Sequence, residues 1–169
     1  MNKLLFKSIY FIDKDNIDKI ISQYNLIQKY KVKKIYPKEI RIDIEPTKYI
    51  AQINNGGSFL IGLNGKLIKT EKVNEELPFL GGRFDSKKFL EFHKIINASD
   101  FKFKDLKSIF FYPSARWDIY TNDDILIKLP EQNLSEVLRI AYKIIKDDQF
   151  NNNRVIDLRI SNHIITQNE

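Results

Sequence analysis

This sequence predicts an α+β fold: a small helix-and-sheet unit, then a larger antiparallel or mixed sheet packed by two helices. Three observations carry the prediction. Several short runs alternate apolar and polar residues, the period of a half-buried strand. Three other segments place apolar residues at i, i+3, i+4 and i+7, the period of a helix face. Strands come in consecutive runs divided by single helices, the order expected of α+β proteins. With 43% hydrophobic and 12% aromatic residues among 169, the chain has ample material for a core, which argues against disorder.

In chain order, Asp13 or Asp15 can cap a helix whose face carries Ile17, Ile20, Ile21 and Tyr24. The period changes at Tyr30. Val32 to Tyr36 forms one strand, Pro37 bounds the turn, and Ile40, Ile42 and Ile44 alternate with Arg41, Asp43 and Glu45 in the next. This unit is expected to end near Asn54, so residues 1–54 and 55–169 form two parts. Asn54-Asn55-Gly56-Gly57 is a turn signal, and Asn64-Gly65 closes a hairpin between 59–62 and 67–68. The stretch Leu77 to Gly82 reads as an apolar loop, because Pro78 and the paired glycines suit neither a helix nor a central strand. Ser86 is expected to cap a helix bearing Phe89, Phe92, His93 and Ile96. Strands follow at 109–112, 116–120 and 125–129, with Trp117 in the core. Asn133 or Ser135 opens the last helix, on Leu134, Val137, Leu138, Ala141, Ile144 and Ile145. A strand through Ile156, Leu158 and Ile160, a turn at Ser161-Asn162 and a return over 163–166 complete the chain.

Catalytic signatures are absent. There is no cysteine, which excludes disulfides, thiolate metal sites and a cysteine nucleophile. His93 and His163 lie in unlike contexts and neither has a second ligand at metal spacing. No P-loop, GxGxxG, GxSxG or HExxH occurs. Gly81-Gly82-Arg83 reads as backbone relief, not an anion cradle. Asp123-Asp124 and Asp147-Asp148 fall at a turn and a helix end, where carboxylates are solvated. The expectation is a non-enzymatic chain with no cofactor and no metal.

The net charge of +6 is concentrated early. Residues 1–55 hold 10 Lys and 1 Arg against 6 acidic residues, a net of +5 that leaves +1 for the rest. These lysines alternate with apolar residues, as solvated strand faces do, instead of forming a solid basic run. An RNA-binding sheet would show aromatic and basic residues on one face. Here Tyr30 and Tyr36 are expected to pack against the first helix, so nucleic acid is not the expected partner. No run reaches the ~18 apolar residues of a membrane span.

Several stretches together resemble the FtsQ/DivIB family of bacterial cell-division proteins. Val32 to Pro37 followed by Ile40-Arg41-Ile42 is similar to the close of that family's POTRA module. Leu60-Ile61 with Asn64-Gly65 resembles its "LID–G" hairpin, and Leu77 to Gly81 its "LP-x-L-x-G" loop. Arg116-Trp117-Asp118-Ile119 resembles the "R-x-W" strand, and Val155 to Arg159 the "VDLR" strand. The resemblance runs over about residues 7–168. It implies a partial POTRA-like unit at 1–54, without that module's first strand and helix, and a family-type β domain at 55–169. It also implies a periplasmic divisome scaffold at the bacterial inner membrane, whose partners are FtsB and FtsL. The family's membrane span is missing, and its "E-R-x-P-x-A" segment is altered to Glu45 to Ala51. By motif match the docking residues are Arg159, Ile160 and Asn162, with Arg116 nearby; the partner is expected to pair with the outer strand, His163, Ile164, Ile165 and Thr166. Rival readings are a POTRA-bearing outer-membrane assembly or secretion factor, and a basic RNA-binding domain.

The residues themselves are compatible with docking by strand addition. A terminal strand at a sheet edge presents unpaired N–H and C=O groups that a partner strand can pair. Arg159 either takes a partner carboxylate in two hydrogen bonds or forms an intramolecular surface pair.

Overall fold

A computed structural model describes residues 12–54, 56–71, 76–147, 149, 153–160 and 163–168. Helix α1 (Lys14–Ile21) starts at Asp13, whose carboxylate accepts the Asn16 amide at 2.8 Å. Its buried Ile17 and Ile21 lie on the antiparallel pair β1 (Ile27–Ile35) and β2 (Glu39–Pro46), against Tyr30, Val32, Ile40 and Ile42. The Tyr30 hydroxyl donates to the Asp18 carboxylate. Tyr24 and Tyr36 stand outside this small core, 46% and 59% exposed, so only one of the two strand aromatics packs as expected. Tyr36 falls one residue past the end of β1, in the turn, where the alternation of the strand no longer places it on the Tyr30 face.

The other nine strands form one mixed sheet. They are β3 (Tyr49–Asn54), β4 (Ser58–Gly62), β5 (Leu67–Lys69), β6 (Phe79–Gly82), β7 (Leu106–Phe111), β8 (Trp117–Thr121), β9 (Leu126–Lys128), β10 (Asn153–Asp157) and β11 (Ile165–Asn168). Across the sheet the order is β11-β10-β9-β8-β7-β6-β3-β4-β5. Strand β3 therefore pairs within the large sheet, and pairing passes from one sheet to the other between Pro46 and Tyr49, ahead of Asn54.

The stretch expected as an apolar loop contains β6, a central strand running parallel to both β3 and β7. The glycines permit this placement. A side chain at Gly81 would collide with the Phe110 ring of β7, and Gly82 holds φ at +92° against the Phe111 carbonyl. The signal read as loop chemistry is close approach of two strands.

Helix α2 (Ser86–Ala98) connects β6 to its parallel neighbour β7, and α3 (Leu134–Lys146) connects β9 to its parallel neighbour β10. Asp85, not Ser86, caps α2, its carboxylate accepting the Lys87 amide at 2.6 Å. Asn133 precedes α3 in the left-handed region, at φ 59°. Both helices pack on one sheet face. Phe89, Phe92, Ile96, Leu138, Ala141 and Ile144 are buried over Leu80, Ile109, Ile119, Ile127 and Ile156. Trp117 is core, stacked on Phe92 with ring centroids 4.5 Å apart. His93 is half-buried edge-on to Phe103, and the loss of water around it pushes its pKa below 6.5.

Candidate functional site

Alternation along β8, β9 and β10 turns one side chain in two away from the helices. On that second face the register aligns Asp118, Lys128, Asp157 and Ile165 across four successive strands, β8 to β11. Arg116 lies just before β8 and Arg159 two residues beyond the end of β10. Because β8 runs antiparallel to β10, both arginines lie on the same side of the row.

Each arginine faces a carboxylate two residues away. Arg159 Nε donates to Asp157 Oδ1 at 2.8 Å and Nη2 donates to Oδ2 at 2.5 Å, a fork that satisfies both oxygens. This pairing holds the Asp157 carboxyl below the usual carboxylate range. Arg159 thus has an intramolecular partner.

Arg116 lies over the Tyr112 ring, 4.3 Å from its centroid, with Nε 3.6 Å from Asp118 Oδ1. Neither of those two buried atoms has a hydrogen bond. Asp118 is 4% exposed, and loss of water around it raises its pKa despite the opposing pull of Arg116, Lys128, Tyr112 and Arg159. Three cations and two carboxylates therefore meet on one patch. Arg116 and Arg159 are among the expected docking residues and Asp157 opens the strand expected to carry the docking site; Tyr112, Asp118 and Lys128 were missed. The available signal was the R-x-D and D-x-R spacing, which puts each pair on one strand face.

Beyond this row the sheet ends at β11, which among the described residues pairs only with β10. Ile165 and Thr166 lie in it, opposite Asp157 and Ile156. His163 and Ile164 precede the strand, so the return begins two residues later than expected, and the strand reaches Asn168. The His163 amide donates to the Ile160 carbonyl at 3.2 Å, closing the turn. Asn162 lies outside the described residues. Ile160, Ile164 and Ile165 are 57%, 52% and 53% exposed, three large apolar residues near this end of the sheet. Among the described residues no group of three or more His, Cys, Asp or Glu could hold a metal.

A protein-family model for the C-terminal part of cell division protein FtsQ/DivIB matches residues 50–159, taking in the sheet from β3 to β10 and both arginines. The chain belongs to the FtsQ/DivIB family. It is 24% identical over 159 residues to cell division protein DivIB of Bacillus subtilis, covering 90% of this chain and 60% of that protein. It is 21% identical over 165 residues to cell division protein FtsQ of Bradyrhizobium diazoefficiens, covering 95% and 48%. The chain spans about half the length of these curated relatives. Among solved structures, it is similar to the major extracytoplasmic domain of DivIB from Geobacillus stearothermophilus, in its trans isomer. That likeness has a TM-score of 0.45 at 18% identity and covers 63% of this chain and 98% of the other. No helix of the described residues is long and apolar enough to cross a membrane. In this FtsQ/DivIB chain the "VDLR" segment closes β10, with Asp157 and Arg159 bound to each other and Leu158 buried between them.

Proposed function

We propose that this chain is a non-enzymatic docking component of bacterial cell division, acting on the periplasmic side of the inner membrane. Its partners are the division proteins FtsB and FtsL, and at least one of them adds a strand to β11. One observation carries the reading: among the described residues β11 is a sheet edge, with Ile165 exposed in it and Ile160 and Ile164 exposed ahead of it. A partner strand would gain backbone hydrogen bonds at about 0.5–1.5 kcal/mol each and cover these side chains. Arg159, held by Asp157 at the end of β10, would lie near the incoming strand and select its charge, with Arg116 farther in at β8.

The test is a titration of an FtsB segment against wild type and Ile165→Asp, with amide exchange read in parallel. Ile165 is exposed, so the substitution leaves the core intact. Wild type is expected to bind with slowed exchange across 165–168, and the variant to bind about tenfold or more weakly. Binding that leaves those amides unprotected would remove strand addition from the reading.

A further inference from the structure

We infer that the β4–β5 turn is a polar latch that locks the helix-and-hairpin unit onto the nine-stranded sheet and can open without unfolding either. The two units have separate cores: Ile12, Ile17 and Ile21 in one, and the residues between sheet and helices in the other. Side-chain hydrogen bonds join them. Asn64, at the tip of the turn, donates from Nδ2 to the Asn25 carbonyl at 2.8 Å and the Ile27 carbonyl at 3.0 Å. Its Oδ1 accepts the Lys66 amide at 3.0 Å, which fixes the rotamer. In return, Asn25 Nδ2 donates to the Leu67 carbonyl at 2.8 Å, and Lys66 Nζ donates to the Ser22 carbonyl at 3.0 Å.

Thr47, on the link between the sheets, sits under this clasp. It is 7% exposed, donates to Gln28 Oε1 at 2.8 Å and accepts the Asn64 amide at 3.3 Å. A Cβ on Gly62 would come within 2.6 Å of its side chain. Among the described residues the seam is not sealed by apolar packing, since Leu26, Leu63 and Leu67 around it are 49%, 36% and 42% exposed. Hydrogen bonds at a wet seam exchange for water at small net cost, whereas parting a packed core does not. The turn also rests on α2, because a Cβ on Gly65 would lie 3.1 Å from Leu90. Displacement of the small unit is therefore felt at a core helix of the large one.

The chain has no cysteine, so two introduced thiols report alone. Spin labels at Lys19→Cys on α1 and Lys94→Cys on α2, both exposed, give the distance between the units. A single narrow distance peak is expected with the latch intact. Asn64→Asp keeps the acceptor for the Lys66 amide but replaces both donations with repulsion, and is expected to split or broaden the peak while the circular dichroism of the sheet is unchanged. Lys66→Met, which removes only the donation to Ser22, is expected to broaden it less. An unchanged narrow peak in either variant would overturn the latch.

Discussion

Asp118 is a carboxylate on the sheet face away from the helices, yet 4% exposed. Burial raises its pKa above the ordinary 3.8, so the folded protein holds this proton to a higher pH than the unfolded chain does. Its contribution to stability accordingly falls as pH rises from 3.8 through the raised folded value. Asp157 behaves oppositely. Its pKa is lowered by Arg159, so its contribution is present above 3.8 and lost as pH falls through the lowered value. Asp118→Asn is expected to flatten the fall in denaturation midpoint with rising pH on the alkaline side of 3.8, measured by urea unfolding over a pH series. Asp157→Asn should leave that limb in place and weaken the acid-side loss. If both variants track wild type on their respective limbs, the assignment of these two carboxylates is wrong.

At the scale of elements, the two long helices and β8 meet in the main core. Trp117 stacks on Phe92 and packs beside Phe89 and Phe111. Trp117→Ala is expected to cost about 3–5 kcal/mol, read as a lower urea midpoint, because the hole lies between sheet and helix. These elements were legible because their signals are local: helical spacing in 134–145, alternation in 40–44, one tryptophan on an apolar strand. β6 was not legible, because Gly81 is required by the ring of Phe110, 29 positions away in the sequence. The parallel pairing of β9 with β10 was equally hidden, since α3 intervenes. That pairing sets Lys128 between Asp118 and Asp157, so the charged row existed in the sequence only as two R/D pairs without a register. The intramolecular partner of Arg159 was within reach, lying two residues back on the same strand.

The whole molecule is one long sheet with a small unit at one end. At that end, β5 is three residues long and its Leu67 carbonyl is taken by Asn25. At the other end, β11 pairs on one side only among the described residues. The two ends of the sheet are thus unequal, and the inequality governs how many strands can be added. A sheet open at both ends could template an indefinite stack, one copy upon the next. A sheet blunted at one end accepts a single addition and then has no compatible surface to offer. Light scattering at rising concentration is therefore expected to plateau at no more than a pair of chains, whereas steady growth in mass would contradict it. A terminus of this kind would count: under the proposed strand addition it would admit one guest strand per chain, and so set the stoichiometry of what assembles upon it.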